Sequence, residues 1–290
     1  MTNTPDGQTE RQGSVIADFS LEMTAKDVVA MREAAPFLPR GTRVNVTFLG
    51  NEDAAMRRSA AAAVRDEGFE PVPHISARRI VSEDELDAFL GALGADGNAG
   101  SLFVIAGDPP EPMGPYGDAL DLITSGVFER HGVRRIGIGG YPEGHPQVDE
   151  ARLWSALEDK AAAIADRGLE GEIITQFGFD VDVVVAWIEQ VRARGVDLPI
   201  RIGVPGPAGI KRLITYARRF GVGTSTGIAK KYGFSITNLL GTAGPDRFIT
   251  ELDRRYDPAR HGAVALHFYT FGGLRATAEW IAAFRKDLHA

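Results

Sequence analysis

The sequence of 290 residues contains no cysteine. That absence excludes disulfides, thiolate nucleophiles, CxxC redox chemistry, cysteine-held zinc and iron–sulfur clusters. Redox chemistry, if there is any, must be carried by a bound organic group. Basic residues are in deficit: 32 Lys plus Arg against 39 Asp plus Glu give a net charge of −7. A protein whose main partner is a nucleic-acid backbone carries the opposite balance. No run approaches the roughly 18 consecutive apolar residues that a membrane span needs. The first 14 residues, MTNTPDGQTERQGS, lack the apolar centre of a secretory signal. They read as a disordered tail on a cytoplasmic protein. Phosphate loops are missing too: GxxxxGK[ST] does not occur, and GVGTSTG at 221–227 misses the GxGxxG spacing and follows no clear strand. The six histidines show no HExxH spacing, there is no GxSxG elbow, and no metal site is expected.

What is present is an ordinary globular composition, 44% hydrophobic and 24% charged, able to bury a large core. From Val15 onward one theme repeats: a short β-rich apolar run, a loop, then a helical pattern. Strands are expected at 17–23, 43–49, 70–76, 101–107, 134–141, 172–179, 199–206 and 263–270. Their nearly continuous apolar character suits parallel strands covered by helices. Helical periodicity falls at 53–67, 82–93, 116–131, 149–167, 181–194, 208–220, 245–256 and 274–288. Alternation of this kind implies right-handed crossovers, and eight units fit a single α/β domain, a (β/α)8 TIM barrel over 15–290. The seventh connection, 207–262, is long enough for an extra helix.

Barrels of this kind collect chemistry where strands run into the following loops. Those ends carry Glu22, Thr47, His74, Asp108, Tyr141, Glu143, His145, Gln176, His267 and Tyr269. An acid inside an apolar strand, as Glu22 is, is either functional or paired with a basic group. Asp108, ahead of two prolines, reads equally as an Asx-turn former. His267 reads as a satisfied core histidine, and Tyr269 as barrel packing with a bonded hydroxyl. Gln176 needs donor and acceptor partners that a cofactor or substrate amide edge would supply. Three basic pairs, Lys211-Arg212, Arg218-Arg219 and Lys230-Lys231, read as a solvated face or as contacts for an anionic tail.

The ordered motifs resemble those of the methylenetetrahydrofolate reductase family, the flavin-dependent folate barrels. GYPEGHP (140–146), ITQFGFD (174–180) and LHFYTF (266–271) carry the resemblance most specifically, with FSLE, VTF, PHIS and GDPP in the right order before them. The resemblance implies interconversion of 5,10-methylenetetrahydrofolate and 5-methyltetrahydrofolate with NAD(P)H as co-substrate and FAD as hydride relay. In it Glu22 protonates N10 to open the five-membered ring. Asp108 lies by the pterin and the flavin pyrimidine edge, and Gln176 orients folate and nicotinamide. Thr47, His74 and Gly107 touch the flavin, while Tyr141, His145 and Lys160 hold its ribityl, adenine or phosphate parts. Phe177, Tyr269 and Arg275 line the substrate site. Partners are tetrahydrofolate derivatives, with no nucleic acid and no membrane, and the Ala-rich helices are compatible with a homo-oligomer.

The departures cluster on FAD contacts. Ala106 stands where the family has an arginine, and Leu153, Ala156 and Asp159 stand where polar or basic contacts are expected. Met23-Thr24-Ala25-Lys26 replaces a Phe-Phe-Pro-Pro run, and Gly272-Gly273 an Asn and Arg. One arginine lost from a phosphate clamp costs about 1.5–3 kcal/mol. FAD held by altered contacts is the expectation, with direct hydride transfer without flavin, a folate-dependent methyltransferase and a non-catalytic folate-binding barrel as the alternatives.

Overall fold

The computed structural model describes residues 14–222 and 242–288. The expected N-terminal tail (apart from Ser14), the GVGTSTG segment beyond Val222 and the Lys230-Lys231 pair lie outside them. Eight parallel strands close into a barrel: β1 (Phe19–Met23), β2 (Arg43–Val46), β3 (Glu70–Ser76), β4 (Ser101–Ile105), β5 (Arg135–Gly140), β6 (Glu170–Phe177), β7 (Ile200–Pro205) and β8 (Val264–Tyr269). Each pairs with its sequence neighbours, and β1 closes the ring against β8. Around them lie α1 (Val28–Ala34), α2 (Ala54–Asp66), α3 (Glu83–Ala95), α4 (Ala119–Thr124), α5 (Val127–Arg130), α6 (Glu150–Asp166) and α7 (Val181–Ala193). The seventh connection adds α8 (Ile210–Phe220), a two-stranded ribbon of Ala208–Gly209 with Thr242–Ala243, α9 (Asp246–Arg255) and α10 (Pro258–His261), before α11 (Leu274–Leu288) ends the described chain. This is the (β/α)8 barrel that the alternation implied. No helix among the described residues is long and apolar enough to cross a membrane.

Local chemistry explains the element boundaries. Asp53, Ser82 and Asp149 each accept a backbone N–H at the start of α2, α3 and α6, the expected use of short polar side chains at helix N-termini. The expected helix 116–131 is interrupted: Gly126 takes a left-handed φ of 76° and separates α4 from α5. The expected second strand, 43–49, stops at Val46. Beyond it the buried Glu52 carboxylate accepts the N–H groups of Leu49 and Ala25 and holds both chains in loops.

Alternation along each strand decides which side chains enter the barrel. The register places Arg43, Glu70, Ser101, Arg135, Glu172 and Arg201 on the inner face near the strand starts, with Ser20, Val72, Phe103, Ile174 and His267 above them. The floor is ionic. Arg43 and Arg201 both donate to the same Glu172 oxygen, at 2.6 and 3.0 Å, and both also reach Asp18. Burial pushes the Glu172 and Asp18 carboxyls up from their ordinary range, while Arg43 and Arg135 act in the opposite direction. A buried carboxylate is tolerable only while its partners remain. Arg201→Met is therefore expected to destabilise the barrel by about 3–5 kcal/mol in urea denaturation, a buried charge losing one of its partners. A loss below about 1 kcal/mol would show that Arg43 alone satisfies Glu172.

Candidate active site

One or two inner positions above that floor, the inner face carries the groups that the strand-end argument singled out. Glu22 is inward on β1, half-buried, and its Oε2 lies 3.8 Å from Nε2 of His267 on β8. His267 is itself 1% exposed. Its Nδ1 lies 2.8 Å from the Ser20 hydroxyl, two residues before Glu22 on the same inner face. From β3, the buried His74 shares a 3.2 Å hydrogen bond with Asn45 and packs on Phe103. Burial pushes His74 down to about 4; the nearby Glu22 opposes that shift and His267 adds to it. Tyr269 stands perpendicular to His267 with centroids 5.0 Å apart. Burial, with help from Glu22 and Tyr141, raises its phenol well above the usual range. Glu22, His74, His267, Tyr269 and Tyr141 thus form one group.

Gln176 reaches this layer through an irregularity. The β6–β7 register shifts between Ile174 and Phe177. The buried Thr175 hydroxyl accepts the Gly203 N–H at 2.8 Å, and the Tyr269 hydroxyl donates to the Thr175 carbonyl at 3.0 Å. A side chain at Gly203 would collide with that carbonyl and with Tyr269. Bulge, glycine and tyrosine therefore fix one another, and Gln176 accepts the adjacent Phe177 N–H, leaving its amide nitrogen toward the half-buried side.

At the rim, Thr47 and Ser76 bury hydroxyls that have no partner among the described residues. Gly107, at φ 95°, approaches Ser76 so closely that no side chain fits there. Asp108 is exposed and ion-paired with Arg79, whose Nε is 3.0 Å away. Neighbouring Arg78 donates to the carbonyls of Gly117, Pro109 and Pro110 and so shapes the loop after β4. Glu143 accepts the Phe179 N–H at 2.8 Å and ties the loops after β5 and β6 together. His145 stacks edge-on against Tyr141, and Tyr141 in turn lies over the bare inner position of Gly139.

Three expected site residues stand apart. Lys160 is on α6, lowered to about 8 by burial, with Asp118 and Arg152 as its charged neighbours. Arg275 is exposed on α11 and spends its guanidinium on Glu279 and Glu33. Phe177 is 1% exposed inside an aromatic cluster with Phe179, Phe220 and Phe271, and it reaches the site only through its edge-on contact with Tyr269 at 5.5 Å.

A cavity of about 1020 Å³ opens from Gly139 and Tyr141 and runs outward between α6 and α7, past Leu153, Trp154, Leu157, Val183 and Trp187 to Arg218. The sequence model of the family described as methylenetetrahydrofolate reductase matches residues 21–233. The chain belongs to the methylenetetrahydrofolate reductase family. Methylenetetrahydrofolate reductase 2 of Saccharomyces cerevisiae is 34% identical over 127 residues, 41% of this chain and 20% of that protein. Methylenetetrahydrofolate reductase (NADH) 1 of Arabidopsis thaliana is 27% identical over 59% of this chain and 31% of its own length. The chain thus spans less than a third of either. The 5,10-methylenetetrahydrofolate reductase of Salmonella typhimurium is 26% identical over 78% of this chain and 75% of its own. Among solved structures, an uncharacterized protein from Clostridium thermocellum that binds two copies of 5-methyl-5,6,7,8-tetrahydrofolic acid superposes with a TM-score of 0.59 over 96% of this chain and 95% of its own, at 11% identity. That likeness is one of fold.

Within this family member, the residues that sequence reasoning missed are Glu52, Arg78 and Arg79, which organise the mouth loops. The adjacent arginines directly after PHIS were the available signal; Glu52 offered none. The buried His74 supplies a pH test. An unfolded chain binds a proton on this imidazole near 6.5, while the folded one refuses it until about 4. Acidification between those values therefore favours unfolding, and stability rises again with pH. Wild type is expected to lose about 2 kcal/mol more than His74→Gln between about pH 7 and pH 5 in denaturant titrations, from that linkage. Equal losses in both proteins would show that His74 titrates normally.

Proposed function

We propose that this chain, through the barrel of residues 15–290, interconverts 5,10-methylenetetrahydrofolate and 5-methyltetrahydrofolate with NAD(P)H, and that Glu22 is its general acid. Family membership supports the reaction. The observation that carries the assignment is a half-buried carboxyl group on the inner face at the end of β1, beside the buried His267. A proton delivered to N10 opens the imidazolidine ring and leaves an electrophilic methylene iminium at N5. Hydride then adds to that carbon. Only an acid held against the leaving nitrogen accelerates the first step, and a positioned proton donor contributes about 10²–10⁴-fold. His74 is a poor competitor for that role, because burial keeps it neutral above about 4. Gln176 orients the folate amide edge and the nicotinamide, Tyr269 and Tyr141 wall the ring, and Asp108 meets the pterin from the rim with Arg79 at its back.

The hydride route turns on whether FAD fits. The unpartnered Thr47 and Ser76 hydroxyls beside His74 suit the polar edge of a flat heterocycle, flavin or pterin alike. FAD needs more than that: its diphosphate must find cations. The groove leading from Tyr141 is walled by Leu153, Trp154, Leu157 and Val183, with Arg218 as its basic residue. Lys160 and Arg152 face Asp118 instead. Among the described residues the groove offers too few cations to hold a diphosphate arm permanently, and we favour direct transfer of hydride from an exchanging nicotinamide to the one-carbon unit. The Ala106 and Leu153 departures favour the same reading.

Glu22→Gln is expected to lower methylene reduction by at least about 10²-fold while folate binding stays within about threefold. Full turnover in that variant would overturn the acid assignment. Oxidation of 5-methyltetrahydrofolate by an electron acceptor, with no methyl acceptor present, separates a reductase from a methyltransferase or a silent binder. Freshly purified protein should show no flavin bands in the visible spectrum and gain no activity on adding FAD. Bands at stoichiometric strength would restore the flavin relay.

A further inference from the structure

The mechanism above uses Glu22 and leaves its closest ionisable neighbour without a task. His267 is 1% exposed, on β8, and Ser20, its register partner on β1, is equally buried. The 2.8 Å contact between the Ser20 hydroxyl and Nδ1 fixes the ring, and this leaves Nε2 facing the Glu22 carboxyl at 3.8 Å. A core histidine satisfied for packing alone would need a partner such as the serine, but not the alignment of its second nitrogen with a carboxyl group.

Both nitrogens matter because a neutral imidazole is a donor at one and an acceptor at the other, while a hydroxyl can serve either. With the proton on Nδ1, that N–H donates to the Ser20 oxygen, and Nε2 accepts from the carboxylic acid form of Glu22. With the proton on Nε2, Ser20 donates to Nδ1, and the ring offers its N–H to the carboxylate that remains after proton transfer. The same pair therefore accommodates Glu22 before and after the chemical step, with the bond to the charged carboxylate the stronger of the two. A small side-chain adjustment closes the 3.8 Å gap, as such contacts tighten when substrate is bound. The surrounding ionisable and charged groups are few. His74 comes from β3 and is neutral, Tyr269 is on the same strand, and Tyr141 is behind it on β5. Arg201 lies one inner position below on β7 and is bound to Glu172 and Asp18.

We propose that His267, held by Ser20, is a positioning residue that stabilises the Glu22 carboxylate and so sets the pH at which the acid is lost. The proposal rests on Glu22 being the general acid. A hydrogen bond to the charged form of an acid favours that form, so removing the donor makes Glu22 hold its proton longer and release it less readily.

The test compares wild type, His267→Leu, His267→Gln, Ser20→Ala and Glu22→Gln as purified full-length proteins, each checked by circular dichroism. In His267→Leu, kcat should fall about 10- to 100-fold with KM within about threefold, the loss expected for one hydrogen bond to a charged group. The descending limb of its kcat/KM profile should move to higher pH by about one unit. His267→Gln keeps a neutral N–H donor near the Nε2 position and should return that limb to its wild-type place. Ser20→Ala should move it in the same direction as leucine but less far. If the leucine variant does not fold, glutamine against Ser20→Ala still makes the comparison. An unmoved limb in His267→Leu, or equal displacement in His267→Gln, overturns the positioning role while an inactive Glu22→Gln leaves the acid assignment standing. An active Glu22→Gln overturns the assignment itself.

Discussion

A charged group inside a closed barrel must find partners within the ring of strands, because water and the helical layer are both out of reach. This protein meets that demand at one level and leaves it open at another. On the floor, the buried Glu172 is held by Arg43 and Arg201, which also reach the exposed Asp18, so opposite charges from four different strands or strand approaches are drawn together. Near the mouth the same geometry places Glu22 with no cation in bonding distance among the described residues, only an imidazole at 3.8 Å. Two rim hydroxyls, Thr47 and Ser76, are likewise buried without a partner. Paired charges at the strand starts and unpartnered hydroxyls near the strand ends are how a rigid scaffold carries a site that waits for its ligand.

That division also explains what could be seen in the sequence. Eight apolar runs alternating with helical patterns dictate a parallel barrel, and once the barrel closes, the parity of each strand assigns Glu22, His74 and Tyr269 to its interior. Local pattern was enough for those positions. It was not enough for the surroundings of Phe177, because the register shift after Ile174 sets this ring between Tyr269 and the aromatic cluster under α8. Nor did it place Lys160 or Arg275, since which way a surface cation turns depends on carboxylates distant in sequence, here Asp118 and Glu33. Glu52 looked like one more loop acid, yet it fastens the turns after β1 and β2 through two backbone donors. His267 was read as a core residue. Burial agrees with that reading, and its contacts with Ser20 and Glu22 add to it.

The two sides of the mouth differ in kind. β1, β2, β3 and β8 supply the acid, the imidazoles and the hydroxyls, whereas β5 presents glycine at its inner positions Gly137 and Gly139. A Cβ at Gly137 would press on Phe103 at 2.9 Å, and one at Gly139 would meet the Tyr141 hydroxyl at 3.3 Å. Rings leaning in from adjacent positions thus occupy the volume that β5 gives up. A flat ligand entering this mouth meets an aromatic surface on one side and proton-transfer groups on the other, the arrangement in which apolar contact orients and a few polar atoms select.

The same asymmetry bears on the redox partner. A reduced nicotinamide is flat and needs an amide contact of the kind Gln176 carries, and although its dinucleotide has a diphosphate too, that diphosphate is held for only one turnover. A resident flavin would have to be gripped along its whole length to stay bound through each turnover, and its diphosphate is the part for which α6 provides leucine and tryptophan. A co-substrate that must leave after every cycle needs no such grip. Weak anchoring of the diphosphate is a defect in a flavoprotein, and a convenience in an enzyme that exchanges its hydride donor each time it acts.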